Sequence, residues 1–267
     1  MKLLSTVVTL SIIGYGLWWV DQRYPHLKTI ALEQIGTSNV LTLEAKITPN
    51  KLLSDNKNAL IKSPKHTCRT PELKYAPYLL VDVKYSKNST ETAESIMLWD
   101  LTDGEMVLNT KTWEKTHGYA DCLNAHATKS DYQIINAIAQ NGGTAAQKML
   151  KNPDNAIDTC IKKKLIVKTP TGYRLHMKLP IFVLDPETQM STPIVALPAK
   201  SADRIPKRYS ASQIKKNIES AFSNDFVIKK VTEVYMPFYS ITVENPDSSL
   251  QTTFWNALTG APLPLTY

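Results

Sequence analysis

An internal repeat sets the strongest limit on the fold of this 267-residue chain. Tyr75-Ala-Pro77-Tyr78 leads to Leu98-Trp99-Asp100 and Gly104, and Tyr235-Met-Pro237-Phe238 leads to Phe254-Trp255-Asn256 and Gly260. In both stretches the fourth and sixth residues after the proline are apolar, which is the period-two pattern of a half-buried strand. The repeat therefore predicts two similar sheet units far apart in the sequence.

The repeated residues are expected to have structural roles. Large aromatic side chains supply much of the burial in small sheets, and glycine is favoured where a turn needs a positive φ. These considerations apply to one signature set in two copies: Pro77, Trp99, Asp100 and Gly104 in the first, and Pro237, Trp255, Asn256 and Gly260 in the second. Hairpin turns are predicted over Ser86 to Glu94 and over Asn245 to Gln251. Asp103 and Glu105, on either side of Gly104, are expected to be solvated.

A helix is predicted ahead of each repeated strand. Thr48-Pro49 places proline at the first helical position, and Ser210 with Gln213 forms a capping box before Ile214, Ile218 and Phe222. A strand from Val40 to Ile47 is expected to pair onto the first unit. Taken in sequence order, these elements give two helix-plus-antiparallel-sheet units, at residues 38–115 and 209–267.

The second copy ends Phe254-Trp255-Asn256-Ala-Leu-Thr259-Gly260, and the first reads Trp99-Asp100-Leu-Thr102-Asp-Gly104, with the threonine displaced by one position. A helix followed by strands that end in such a turn resembles the PepSY type of envelope domain over about fifty residues per copy. The resemblance implies a small α+β binding or inhibitory domain without catalytic residues of its own.

The segment between the repeats is predicted to hold three short helices and a β-hairpin. Capping boxes at Ser130–Gln133 and Thr144–Gln147 start two helices, and Asn152-Pro153 starts the third. Leu165 to Val167, a turn at Pro170 to Gly172, and Tyr173 to Leu175 then form the hairpin. This order resembles winged-helix domains from Asp131 to about Met177, so a winged-helix-like domain is expected at residues 128–179.

Charge decides what such a domain could bind. Residues 130–178 hold eight basic and three acidic residues, and this excess of basic residues accounts for most of the chain's net charge of +7. Cations on the wing would suit DNA phosphates, whereas Asp154 and Asp158 on the third helix would oppose them. Protein contact or a purely structural role is therefore preferred over DNA binding. If DNA or another anionic partner binds, the expected contacts are Lys162, Lys163, Lys164, Lys168, Thr171 and Arg174.

The N-terminal segment predicts a membrane location. Leu3 to Val20 is eighteen residues without a charge, with Trp18 and Trp19 where interfacial aromatic rings prefer to lie. An uncleaved single-pass transmembrane helix at residues 1–22 is expected, with a cleaved signal peptide or a buried helix as alternatives. The flanking charges leave open which side of the membrane the rest of the chain occupies.

Reactive residues give no strong catalytic pattern. His117, Asp121, Cys122 and His126 are close in sequence, and with Cys160 or Cys68 they could ligate zinc or support a cysteine nucleophile. Their spacing matches no established motif, and phosphate-loop and dinucleotide fingerprints are missing from the sequence. No cofactor, metal site or catalytic residue is predicted.

The sequence thus predicts an α+β fold in which an N-terminal transmembrane helix precedes two repeats with a winged-helix domain between them. A proline-rich stretch at residues 180–208 is expected to form an extended connector. Hydrophobic residues at 43% and charged residues at 21% argue against disorder, collagen-like repeats and a polytopic membrane protein. The preferred function is a non-enzymatic, membrane-anchored adaptor or scaffold that binds a protein or peptide. The alternative is a membrane-tethered DNA-binding regulator.

Overall fold

A computed structural model describes residues 39–63, 65–88, 90–150, 154–199, 202–222 and 225–264. The chain is an α+β protein, as predicted. It forms two compact units, each assembled from segments that are distant in sequence. Unit 1 takes the described parts of residues 1–75, 192–204 and 234–267, and unit 2 takes those of 76–191 and 205–233.

Unit 1 contains a sheet built around the C-terminal part of the long strand β11 (Phe226–Glu244). Its strands are β1 (Asn39–Leu43), β2 (Thr67–Cys68), β10 (Ile194–Pro198), the end of β11, β12 (Leu250–Asn256) and β13 (Pro262–Leu263). β12 pairs with β11 in antiparallel register from Phe238↔Asn256 to Glu244↔Leu250. The strand predicted from Val40 to Ile47 is shorter, and its predicted pairing with the first copy is wrong: β1 pairs with β10 along its whole length, and its parallel bridge from Thr42 is to Tyr235, in the strand of the second copy.

Unit 2 contains the sheet of the first copy. Its strands are the later part of β3 (Glu72–Ser86), β4 (Thr92–Asp100), β5 (Met106–Asn109), β6 (Glu114–Lys115) and the first part of β11. β3 and β4 form the predicted hairpin, with Tyr78 opposite Asp100 and Ser86 opposite Thr92.

The two copies close with the same set of hydrogen bonds. In unit 2 the amide of Leu101 donates to the Pro77 carbonyl (3.1 Å), and in unit 1 the amide of Ala257 donates to the Pro237 carbonyl (3.1 Å). In each turn the side-chain Oδ1 of Asp100 or Asn256 accepts a hydrogen bond from the backbone amide two residues later. The backbone carbonyl of the same residue accepts a hydrogen bond from the amide of the turn glycine. Both glycines have positive φ and both tryptophans are buried, as predicted.

The helices pack on the opposite copies from those that follow them in sequence. α1 (Pro49–Asp55) begins at an N-cap Thr48 as expected, but its buried Leu52 packs with Tyr239 and Trp255 of the second copy. The helix at Ala211–Ala221 has the predicted Ser210 capping box, and its Ile214 and Ile218 join the core of Trp99. Each unit therefore combines strands of one copy with the helix that precedes the other.

The middle of the chain lies in unit 2, and its described residues form four helical elements, namely α3 (Tyr119–Asn124), α4 (Lys129–Gln140), a 3₁₀ turn (Gln147–Met149) and α5 (Asp154–Lys162). A small sheet follows the order β7-β9-β8, from β7 (Thr144–Ala145), β8 (Ile166–Thr169) and β9 (Gly172–Leu175). The β8–β9 hairpin agrees with the prediction. α6 is the helix Ala211–Ala221 described above, and a further short helix, α2, spans Lys57–Leu60.

Two helix starts in this region were predicted wrongly. The cap of α4 is Thr128, whose side chain and Asp131 form a capping box, so Ser130 already lies inside the helix. Thr144 belongs to a strand, paired with Arg174, and only a 3₁₀ turn follows it. The pattern Ser/Thr-x-x-Gln is short enough to occur by chance at a strand. The expected start of the third helix, Asn152-Pro153, lies outside the described residues.

The proline-rich stretch is not a free connector. Its residues Ile194–Pro198 form β10, and Gln189 exchanges backbone hydrogen bonds with Leu108 and Thr110. Extended proline-rich backbone is well suited to adding a strand at a sheet edge, which explains the difference. Within the described residues no helix is long and apolar enough to cross a membrane, and the predicted transmembrane segment at residues 1–22 lies outside them.

Candidate binding face in unit 2

Two helices of unit 2 end in the same way, with a basic residue in a left-handed conformation. At the end of α3 the amide of Ala127 donates to the Cys122 carbonyl and that of His126 to the Leu123 carbonyl. At the end of α5 the amide of Leu165 donates to Cys160 and that of Lys164 to Ile161. These are Schellman motifs, whose left-handed position is usually glycine. Here it is His126, with a φ of 50°, and Lys164, with a φ of 56°.

A lysine joins the two helix ends. Lys163 Nζ donates to the His126 carbonyl (2.9 Å) and to Asp131 Oδ2 (2.6 Å), and Asp131 is 1% exposed. Burial alone would raise the pKa of Asp131, but the hydrogen bonds from Lys163 and Thr128 hold it below its usual value. Cys160 Sγ donates to the other carboxylate oxygen (3.1 Å). The position of the α3–α4 loop is therefore fixed by an ion pair whose carboxylate is buried.

A pocket of about 270 Å³ opens on one side of this loop, and we call it the Lys164 pocket. It is lined by Asp121, Asn124, Ala125, Lys163, Lys164, Leu165, His176 and Met177. Lys164 forms no ion pair with any described residue. Asn124 accepts a hydrogen bond from Tyr209 on its Oδ1 (2.9 Å), which leaves its amide hydrogens for other partners.

A second, smaller pocket of about 40 Å³ lies on the other side of the loop, and we call it the Asn217 pocket. Its lining residues are Leu123, His126, Ala127, Gln213, Lys216 and Asn217. Asn217 is 4% exposed, and its Oδ1 accepts from the Tyr132 hydroxyl (2.8 Å). Its Nδ2 has no hydrogen-bond partner among the described residues. Buried side-chain donors without a partner are uncommon in folded proteins.

Residues Leu179–Leu184, which we call the apolar segment, begin two residues after Met177 of the Lys164 pocket. Leu179 is 54% exposed, Ile181 is 56% exposed and Leu184 is 92% exposed. The segment is nevertheless held firmly, because Ile181 pairs with His117 through the backbone and the Phe182 ring packs 4.7 Å from that of Tyr119. Exposed aliphatic side chains on a fixed backbone are typical of protein contact sites.

The structure separates the six predicted anion-binding residues. Lys163 and Lys164 meet at the Lys164 pocket, whereas Lys162 lies exposed on α5. Lys168, Thr171 and Arg174 lie on or beside the β8–β9 hairpin and are exposed. Lys168 is opposite Tyr173 and Arg174 is opposite Val167, so the two cations extend from opposite faces of the hairpin.

The exposed side of α5 also fails to form a cationic surface. Asn155, Asp158 and Lys162 are its exposed residues at helical spacing, with the carboxylate in the middle. A phosphate backbone along this helix would meet Asp158.

The residues considered for nucleophilic or metal chemistry do not assemble. Cys122 is fully buried, and burial raises the pKa of its thiol to about 12, so it is protonated at neutral pH. Among the described residues no group of three His, Cys, Asp or Glu side chains is placed to hold a metal ion.

The turn of the first copy carries a charged cluster that the second copy lacks. Lys115 Nζ donates to Asp100 Oδ2 (2.5 Å) and to Asp103 Oδ2 (2.7 Å), and Asp100 is 2% exposed at its side chain. Burial, followed by the charge of Asp100, raises the pKa of Asp103 to about 6. The expectation that Glu105 is solvated is wrong, because it is 8% exposed and accepts hydrogen bonds from Thr116 and three backbone amides at the start of α3.

Several residues of this face were not identified from the sequence: His126 and Lys216 as binding residues, Asn217, and the apolar segment. The one sequence signal for them was the run of aliphatic residues between Leu179 and Leu184 in a stretch otherwise rich in proline. Comparison of the chain with protein-family models, with curated proteins and with solved structures finds no match.

Proposed function

We propose that this protein is a non-enzymatic binding protein whose unit 2 takes up an acidic protein segment with apolar anchor residues. The proposal is carried by one observation, the three exposed aliphatic side chains of the apolar segment directly after a pocket lined by two lysines. These three exposed side chains lie within six residues of one another, and clustered exposed apolar side chains often mark interaction sites. Lys164, in the pocket that precedes the segment, offers a positive charge to an acidic residue of the partner.

The sequence adds a membrane location to this proposal. Leu3 to Val20 would anchor the chain as a single-pass helix, so that the protein acts as an adaptor or scaffold at the membrane surface. Alkaline phosphatase fused to the C-terminus of the full chain reports on which side of the membrane the C-terminus lies. Activity outside the cytoplasm is expected for a partner of the envelope, and it excludes chromosomal DNA as the ligand.

A peptide-binding measurement tests the proposal. The probe is a fluorescent peptide with two glutamates and two leucines in a glycine and serine background, titrated with the full-length protein. Ile181→Ser combined with Leu184→Ser is expected to weaken binding about tenfold, since about 1.4 kcal/mol of apolar contact is lost. Val227→Ser, at an equally exposed valine of the same unit, is the matched control and should bind normally.

Peptides in which lysine replaces glutamate, or serine replaces leucine, should bind poorly. Equal binding of all three peptides, or an unchanged affinity in the Ile181 and Leu184 variant, contradicts the proposal.

DNA binding is the second candidate. It is supported by the order of helices and hairpin between Lys129 and Leu175, and by the sheet order β7-β9-β8, in which the hairpin strands follow the third helical element. A steep fall in duplex affinity with salt, reduced in Lys168→Glu and Arg174→Glu, would favour it over peptide binding. Asp158 and the opposed directions of Lys168 and Arg174 weigh against that outcome.

A further inference from the structure

The two pockets beside the α3–α4 loop share a chemical character. One is bordered by Lys164 and His176, and the other by His126 and Lys216. Each therefore combines a lysine, a histidine and an amide, which is Asn124 in the first and Asn217 in the second. Asn217 Nδ2, beside the second pocket, is a buried donor without a hydrogen-bond partner among the described residues.

Only one of the two lysines of the Lys164 pocket is available to a ligand. Lys163 is already paired with buried Asp131, so Lys164 supplies the free positive charge. The exposed carboxylate of Asp121 lies in the same lining and offsets the charge of Lys164, so it repels a phosphate with two negative charges more strongly than a carboxylate with one. These contacts suit a carboxylate better than a phosphate.

Backbone conformation distinguishes the two basic residues from ordinary helix-end cations. A lysine or histidine near a helix C-terminus is favoured by the helix dipole at any position of the last turn. Lys164 and His126 instead occupy the one position of each Schellman motif where a side chain is unfavourable and glycine is preferred. Residues in such strained conformations are found more often at ligand-binding sites than elsewhere.

We propose that Lys164 and His126 are specificity-determining residues, each directing one carboxylate side chain of the acidic partner into the pocket it borders. This inference rests on the proposed function and assigns its acidic contacts to two places. A partner with acidic residues on both sides of the loop would bind through the pair of pockets, while its apolar residues contact the apolar segment.

The test uses Lys164→Gly, His126→Gly and a matched control, Ser248→Gly. Ser248 also has a left-handed φ, of 65°, but lies in the β11–β12 turn of unit 1. All three variants should unfold at higher denaturant concentration than the wild type, because glycine relieves the same strain. Lys164→Gly and His126→Gly should each lower the affinity for the peptide with two glutamates and two leucines about tenfold, whereas Ser248→Gly should bind this peptide with the wild-type affinity.

Two further peptides, each carrying only one of the two glutamates, distinguish the contributions of the two pockets. Each should respond to only one of the two glycine variants, as expected when each basic residue contacts a different carboxylate. Competition by acetate and by inorganic phosphate identifies the ligand class, and acetate is expected to displace the peptides more effectively at equal concentration.

The assignment is overturned if both glycine variants bind normally, if either is less stable than the wild type, or if phosphate competes better than acetate. In each of these cases the peptide can still bind and still depend on Ile181 and Leu184, so the proposed function stands. If no peptide binds, the proposed function fails as well.

Discussion

Asp103 shows how a single side chain changes its chemistry between two copies of one turn. The equivalent position in the second copy is Thr259, and the neighbours Tyr78 and Asp100 correspond to Phe238 and Asn256. The neutral turn keeps the same backbone hydrogen bonds as the charged one. The ionisable groups are therefore not needed to form the turn, and their effect on stability can be measured separately.

We expect Asp103→Asn to stabilise the protein at pH 8 and to have little effect near pH 4. Its pKa is raised to about 6 in the folded state, so the folded state holds the proton more tightly than the unfolded state. The contribution of Asp103 to stability therefore falls as pH rises from about 4 to about 6. Because the side chain is 45% exposed, the expected gain is roughly 1 kcal/mol rather than the full value of the shift.

Urea denaturation of the wild type and Asp103→Asn at several pH values measures this gain. Asparagine retains an Oδ1 that can accept from the Glu105 amide, as Asp103 does at 2.9 Å, so the turn itself should survive. A stability difference that grows as pH falls would show that the pKa of Asp103 is lowered instead. As a control, Asp247→Asn in unit 1 should show the opposite trend, since hydrogen bonds from Ser249 lower the pKa of Asp247.

At the scale of elements, the closing turns of the two copies predict different tolerance of the same substitution. Gly104 and Gly260 have similar positive φ values, 81° and 75°. A Cβ at Gly104 would lie 2.9 Å from Tyr209 Cε2, whereas at Gly260 its closest neighbour would be 3.8 Å away. Gly260→Ala should therefore cost about 1 kcal/mol from backbone strain alone, and Gly104→Ala about 2 to 4 kcal/mol because overpacking adds to it.

Chemical denaturation of the two alanine variants distinguishes these costs. The double variant Tyr209→Ala with Gly104→Ala should lose less unfolding free energy than the sum of the losses in the two single variants, since the clash between the new Cβ and Tyr209 is removed. Equal losses of stability in Gly104→Ala and Gly260→Ala would mean that Tyr209 does not pack against the turn at Gly104.

The elements also show what local sequence can and cannot predict. The hairpins, the α1 start at Thr48 and the Ser210 capping box were predicted correctly, because each depends on residues within a few positions of one another. The exchange of helices between the copies could not be predicted, because any apolar face fits either sheet until the long-range pairing is known. Glu105 was misjudged for the same reason, since its partners are eleven to fifteen residues away.

For the whole molecule, the repeats and the middle segment contribute in different ways. The repeats supply the strands around Trp99, which is buried in unit 2, and around Trp255, which is buried in unit 1, while the core around Trp99 also takes residues such as Ile134, Ile138 and Cys160 from the middle segment. The middle segment of unit 2 adds the α3–α4 loop, the two pockets and the apolar segment. The sequence indicated the excess positive charge of this segment, but not that the hairpin cations diverge while Lys163 and Lys164 meet at a pocket.

Hydrogen exchange of the full-length protein, with and without the peptide carrying two glutamates and two leucines, tests the central claim most directly. Binding should slow exchange at the amides of Ile181 and Val183 and in the α3–α4 loop, and leave the β8–β9 hairpin unchanged. Slower exchange at Lys168 to Arg174, or no change around Leu179 to Leu184, would contradict it.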